Sequence, residues 1–290
     1  MWQSYAFKIA GYSLSFLPKR IGYLLARLIA DVVFSIASRV SVNIAVNLRP
    51  VLGPEVSDRA LRRSARGVLR NIACNYFDLI KLPRLKRRDL EHSLCINGWE
   101  HLETALAKGR GVVLVTAHMG SFDTAVQIFA LRSVKTTVLV EPIKPPALLA
   151  HVTRLRQSHG ITFLPSQPGT LGALFRCLRR GEAVLFASDR DIDNNGLRTT
   201  FFDKETTMPT IAVRIAMKTG AALVPCFNRR RMNGKYDINI EPAIEIVGRE
   251  SDTSVADTVE KVVRVMEKHI RRTPEQWVVL SPIWSNPLST

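Results

Sequence analysis

A chain of 290 residues with 46% apolar, 23% charged and 7% aromatic side chains can fill a globular core, which excludes disordered, collagen-like and disulfide-scaffold proteins. Lys and Arg outnumber Asp and Glu by 41 to 25, a net charge of +16, and residues 1–90 hold +11 of it, so an anionic surface is the expected partner of the first third. The sequence carries no zinc-finger spacing, basic-region heptads or RNA-binding aromatic motif, so nucleic acid is not expected as a partner.

In chain order, Trp2, Tyr5, Ile9, Tyr12 and Phe16 recur at spacings of three and four around Lys8. That pattern predicts an interfacial helix over residues 1–18. Residues 21–38 are about as long as a minimal membrane span, but Arg27 and Asp31 sit inside the run, so a simple transmembrane helix is not expected. A secretory signal fits poorly too, because Lys19 and Arg20 come late and no clean cleavage pattern follows. Together with Lys19, Arg20, Arg27 and Arg39, the apolar stripes suit an anionic membrane surface; packing on the domain core is the other reading of the same residues. Residues 57–82 predict a long amphipathic helix with an arginine face, capped by Ser57 and stopped by Pro83.

Beyond about residue 95 the pattern changes. Short apolar runs at 112–115, 137–140, 162–164, 183–187, 222–227 and 236–240 alternate with helical segments at 122–132, 146–159, 170–180, 209–219 and 252–272. Gly160, Gly181 and Gly220 stand where helix C-caps are needed. This alternation predicts an α/β fold with a mixed central sheet flanked by helices, a basic helical region over 1–90 and a core over 91–290 as one continuous domain. Cys74, Cys95, Cys177 and Cys226 have no metal-like spacing and read as reduced core thiols.

The strand over residues 111–117 runs into His118-Met119-Gly120-Ser121-Phe122-Asp123. A His with an acid five residues later is expected about 0.5 times by composition alone, so the spacing proves nothing. Position matters more, because catalytic groups in open α/β folds gather at strand carboxyl ends. There Gly120 permits a tight turn, Ser121 can cap the helix, and Asp123 is expected to fold back onto His118. A carboxylate on one imidazole nitrogen leaves the other free to take a proton from a hydroxyl. A hydrogen-bonded core histidine beside a helix-start aspartate is the plainer alternative. Glu141 ends another strand and could bind an acceptor sugar, support the dyad or pair with a basic neighbour. Asp189, Arg190, Asp191 and Asp193 form a polar loop suited to hydroxyl-rich acceptors or, less well, to a divalent metal. The calcium-loop pattern from Asp191 fails because Phe202 occupies its twelfth position.

The His118-to-Asp123 element resembles the His-four-residues-Asp motif of glycerolipid acyltransferases. More of the chain resembles the family of lipid A late acyltransferases and phosphatidylinositol mannoside acyltransferases. The further matches are Glu141-Pro142-Ile143-Lys144-Pro145 with Arg156 and Gly160, Asp189-Arg190-Asp191, Phe201-Phe202-Asp203, Pro209 with Thr219-Gly220-Ala221, Pro274-Glu275-Gln276-Trp277 and Pro282-Ile283-Trp284. The resemblance departs at Ser121-Phe122, where many relatives have Asn-Trp, and at Asp203, where the family has Gly.

The resemblance implies a single acyltransferase domain at the cytoplasmic face of a bacterial inner membrane, peripheral or monotopic. It would move an acyl chain from acyl-CoA or acyl carrier protein to a glycolipid hydroxyl without a cofactor. His118 and Asp123 would be catalytic, with Ser121, Glu141, Arg156, Asp189 and Arg190 binding substrate and no metal ligand. Direct attack by the deprotonated hydroxyl needs no acyl-enzyme; amides beside Ser121, or Arg156, would meet the oxyanion. Two other readings compete: a metal-dependent hydrolase or phosphoesterase using the Asp189-to-Asp193 loop, and a non-catalytic basic membrane-binding protein.

Overall fold

In the computed structural model, which describes residues 11–248 and 250–284, the apolar runs become a seven-stranded sheet. Its strands are β1 (Leu94–Asn97), β2 (Val112–Thr116), β3 (Thr136–Val140), β4 (Thr162–Pro165), β5 (Ala183–Ala187), β8 (Ala222–Arg230) and β9 (Tyr236–Ile240). The hairpin β6 (Leu197–Phe201) and β7 (Lys204–Met208) stands apart. Across the sheet the order is β1-β9-β8-β2-β5-β3-β4. From β8 to β4 the strands are parallel, β9 is antiparallel to β8, and β1 is parallel to β9, so the sheet is mixed as expected.

The helices are α1 (Lys19–Ile36), α2 (Ser38–Leu52), α3 (Asp58–Lys81), α4 (Arg87–Ser93), α5 (Trp99–Leu106), α6 (Phe122–Ala125), α7 (Gln127–Leu131), α8 (Pro146–Arg156), α9 (Thr170–Arg179), α10 (Ile211–Thr219) and α11 (Asp252–Arg272). Strand side chains alternate between faces, and β2 divides its buried residues accordingly. Val113 and Val115 join the core formed with α9, α10 and α11, while Val112 and Leu114 join the one formed with α5 and α7. A parallel strand covered on both faces is apolar throughout, which is why β2 reads as an unbroken run.

Several elements differ from the sequence expectation. The single helix over 122–132 is two short helices meeting at Val126. The Gln127 side chain replaces the bond lost at that break, donating from Nε2 to Asp123 O at 2.9 Å and to Arg156 O at 3.0 Å. β8 continues past Phe227 to Arg230 because β9 pairs with its extension. The β6–β7 hairpin was not expected: its turn residues Phe202 and Asp203 have φ of 51° and 59°, conformations normally signalled by Gly or Asn. The Ser57 cap is present, accepting from Ala60 N at 3.3 Å.

Trp2, Tyr5, Lys8 and Ile9 of the expected interfacial helix lie outside the described residues. Tyr12 and Phe16 are exposed, with Arg84 over both rings. α1 is two-faced. Gly22, Tyr23, Ala26, Ala30 and Phe34 are buried, and a Cβ at Gly22 would come 2.0 Å from the Phe77 ring, so glycine lets α1 approach α3. Leu24, Leu28, Ile29, Val32 and Ile36 form an exposed apolar stripe, with Val42 and Val46 of α2 also exposed. Lys19 corrects the expectation that it faces lipid: its Nζ turns inward, donating to Gly234 O at 2.8 Å and Tyr236 Oη at 2.7 Å. Among the described residues no single helix is long and apolar enough to cross a membrane; residues 19–36 and 39–52, bent by 97°, meet that length and composition together.

Candidate active site

β2 and β5 are parallel neighbours with Thr116 opposite Ala187. Two residues beyond those partners come His118 and Asp189, so strand register brings them face to face at the carboxyl edge of the sheet. His118 Nδ1 lies 2.7 Å from Asp189 Oδ1, and the His118 backbone N–H donates to Asp189 Oδ2 at 3.0 Å. Trp277 Nε1 donates to that second oxygen at 2.7 Å. Burial alone would push the Asp189 carboxyl up, but the His118 ring, the indole and the His118 amide together hold it below the usual carboxylate range. An ionised acceptor demands a donor, so Nδ1 carries a proton, and in the neutral ring Nε2 then keeps its lone pair. The ring is about a quarter exposed, whereas Asp189 is fully buried.

Asp123 is not the partner of the imidazole nitrogen, which corrects the expected fold-back. Its carboxylate meets Arg156, with Nε 2.8 Å from Oδ1 and Nη2 3.4 Å from Oδ2. The reason is the break at Val126: α6 and α8 are tied by Gln127, which puts Arg156 against Asp123. Burial raises the Asp123 carboxyl, while Arg156 and then His118 oppose the rise. The Arg156 guanidinium is itself largely buried and lies 5.9 Å from the Phe122 ring centre and 5.5 Å from that of Phe163.

Ser121 also departs from expectation. It makes no side-chain cap to α6, and at 1% exposure its hydroxyl points away from solvent, donating to Asp78 Oδ2 at 2.8 Å. A substrate-binding role for that hydroxyl is corrected accordingly. Glu141 pairs with Arg190 across the rim at 2.6 Å. Arg190 also donates to Ser281 Oγ at 3.2 Å.

The Asp189-to-Asp193 stretch does not gather carboxylates. Asp189 is spent on His118 and Trp277, while Asp191 Oδ2 accepts from Gly196 N at 2.8 Å. Among the described residues no three His, Cys, Asp or Glu side chains are grouped to hold a metal ion. An open groove of about 590 Å³ is lined by Pro146, Leu149, Ala150, Thr153, Arg154, Gln157 and Pro165. Neither His118 nor Asp189 lines it; both sit at the carboxyl edge of the sheet.

Sequence reasoning placed Asp189 among substrate contacts and left Trp277 without a role. Adjacency of β2 and β5 was the missing information, since the two ends are 71 residues apart in the chain. Trp277 anchors an aromatic cluster with Phe201, Phe202 and Trp284, at centroid distances of 5.8–6.3 Å. The indole therefore carries the rigidity of the core to the Asp189 carboxylate.

A family model described as bacterial lipid A biosynthesis acyltransferase matches residues 1–286. The chain belongs to that family. It is an acyltransferase of lipid biosynthesis. The phosphatidylinositol mannoside acyltransferase of Mycobacterium tuberculosis is 30% identical over 219 residues, covering 73% of this chain and 67% of the relative. The enzyme of that name from Mycolicibacterium smegmatis is 28% identical, covering 81% and 75%. The lipid A biosynthesis acyltransferase of Haemophilus influenzae is 27% identical, covering 62% and 56%. Among solved structures, the 1-acyl-sn-glycerophosphate acyltransferase PlsC from Thermotoga maritima covers 87% of this chain and 99% of its own at 17% identity. Its TM-score of 0.39 is too low to carry a fold argument.

Proposed function

We propose that this acyltransferase moves a fatty acyl chain from a thioester, acyl-CoA or acyl carrier protein, to a sugar hydroxyl of a glycolipid. The observation that carries the reading is the His118–Asp189 contact at the end of β2, which leaves Nε2 as the free base. Nε2 takes the hydroxyl proton while the oxygen attacks the thioester carbonyl. The tetrahedral oxyanion then collapses, and the departing thiolate recovers the proton from the imidazolium. Asp189 holds the ring and balances its positive charge, and Asp123 with Arg156 forms a compensated pair beside it. Arg156 and the amides at the start of α6 are the groups offered to the oxyanion, and Glu141 with Arg190 the rim contacts for the acceptor. The reading needs no acyl-enzyme; burial raises the Cys74 thiol and pushes Cys226 up to about 12, so neither of these two supplies a thiolate near neutrality.

The names of the relatives support a glycolipid acceptor, either phosphatidylinositol mannoside-like or lipid A-like. The exposed stripe of α1, with Arg20, Arg27 and Arg39 exposed beside it, supports docking on the anionic cytoplasmic face of an inner membrane, peripherally or as a monotopic protein. No cofactor enters beyond the acyl donor.

The test is transfer from radiolabelled palmitoyl-CoA or palmitoyl-acyl carrier protein to total bacterial glycolipid. Labelled glycolipid formed by the wild type and abolished in His118→Ala is the expected result. Free fatty acid with no labelled glycolipid would mean that water, not a sugar, is the acceptor.

A further inference from the structure

A buried ion pair that this chemistry leaves unused lies between the helical layer and the sheet. Asp78 on α3 and Arg230 at the end of β8 are 4% and 6% exposed, and Arg230 Nη2 lies 2.7 Å from Asp78 Oδ2. Their other bonds converge on the turn between β2 and α6. Ser121 donates to Asp78 Oδ2 at 2.8 Å, while Tyr23 of α1 donates to Asp78 Oδ1 at 2.7 Å. Arg230 donates to the side-chain oxygens of Asn71 and Asn75, and Asn75 Nδ2 donates to Gly120 O at 2.6 Å. Arg230 N donates to Gln276 Oε1 at 2.7 Å, and Gln276 Nε2 returns a bond to Arg230 O at 2.9 Å. The Gln276 carbonyl accepts from Gly120 N at 2.9 Å.

The Gly120 carbonyl and the Ser121 hydroxyl thus end on this pair or on a side chain it holds, while the Gly120 N–H ends on the Gln276 main chain. The seat is tight: a Cβ at Gly120, whose φ is 61°, would come 2.2 Å from Asn228 Oδ1. Replacing a buried ion pair with apolar residues of similar volume often leaves stability unchanged or improves it, so stability alone is a weak reason to keep one. Its value here lies in directional bonds that an apolar pair does not make.

We propose that Asp78 and Arg230 are positioning residues for acyl transfer, fixing the turn from His118 to Ser121 through Ser121 and Asn75 and so seating the imidazole on Asp189. The inference rests on the general-base reading of His118. Its test is the double variant Asp78→Leu with Arg230→Met, compared in mild detergent with wild type and His118→Ala. Melting temperature, kcat, KM for palmitoyl-CoA and the nuclear magnetic resonance signal of the His118 Nδ1 proton are measured. The double variant is expected to melt no lower than the wild type, with kcat about tenfold or more down, KM within about twofold and the ring-proton signal displaced.

A folded double variant with wild-type kcat and an unmoved ring proton overturns the proposal. If it fails to fold, Ser121→Ala decides by the same readouts, removing one hydroxyl for an expected loss in kcat of about threefold to tenfold with little change in melting. An unchanged kcat and ring proton in Ser121→Ala overturns it equally. Should the wild type transfer no acyl group, the reading of function falls, while a displaced ring proton in the variant still supports positioning and an unmoved one overturns it.

Discussion

Among the described residues, His118 and His269 contact a carboxylate at the same distance, and the proposed reading gives a substrate to His118 alone. His118 meets Asp189 at 2.7 Å, and His269 meets Glu241 at 2.7 Å. His118 stands at the end of a parallel strand with part of its ring open, and its carboxylate partner is the fully buried member. His269 reverses that arrangement. It sits inside α11, 4% exposed, stacked on Phe227 with centroids 4.2 Å apart, and burial lowers its pKa despite the carboxylate. A base needs its carboxylate on the dry side and its free nitrogen on the wet side. Contact distance alone does not distinguish the pair proposed to react from the one enclosed in the core.

Mutation should separate the two pairs most sharply in turnover. His118→Ala is expected to lower kcat/KM about 1,000-fold or more, and Asp189→Asn about 100-fold to 10,000-fold, because the amide no longer dictates which ring nitrogen holds the proton. His269→Ala is expected to keep turnover within about twofold and to cost about 2 kcal/mol in denaturant unfolding. Loss of turnover in a folded His269 variant would erase the distinction.

Trp277→Phe refines the first pair rather than removing it. A smaller aromatic ring remains and the bond to Asp189 Oδ2 goes, so kcat should fall about tenfold. The pH profile carries the sign. Asp189 is depressed by its donors and stays ionised as pH falls until its lowered value is reached. Removing a donor raises that value, so the Asp189 carboxyl takes its proton at higher pH in the variant, which a carbon-13 titration of the labelled carboxyl reads.

A smaller effect is expected in the helical layer. Asp31 bonds Arg70 and Arg66 at 2.6–2.8 Å, and those arginines hold its carboxyl down to about 2. A depressed carboxyl contributes stability that is present above its ordinary value of 3.8 and lost as pH falls through about 2. Both arginines are well exposed, so Asp31→Asn should cost only about 1 kcal/mol at neutral pH and remove that acid-dependent loss. The smallest change is a gain. Asp203→Gly, at φ 59°, should add about 0.5–1 kcal/mol in thermal or denaturant unfolding without altering turnover.

The sequence carried the parallel strands well, because a strand buried on both faces must be apolar throughout and its neighbouring helices end in Gly160, Gly181 and Gly220. It hid the β6–β7 hairpin, since Arg198, Thr199 and Thr200 are polar and the turn uses Phe202 and Asp203 in place of glycine. His118 was legible from its place at a strand end. Its partner was not, because the order of strands in a sheet is a long-range property that local spacing does not encode. Asp123 sits at the right distance along the chain, yet a broken helix gives it to Arg156. Ser121 looked like a cap because of its residue type and position, and tertiary contact with Asp78 overrides that local preference.

The outward stripe of α1 has a consequence for how the protein behaves in a test tube. Leu28, Ile29, Val32 and Ile36 present adjoining apolar surface to water on a cationic molecule. In buffer without amphiphile such surfaces cover one another, so a particle mass measured there reports the missing solvent as much as the protein's own preference. Light scattering with and without a mild detergent separates the two: a size that falls when detergent is added belongs to the stripe, and one that persists belongs to some other face.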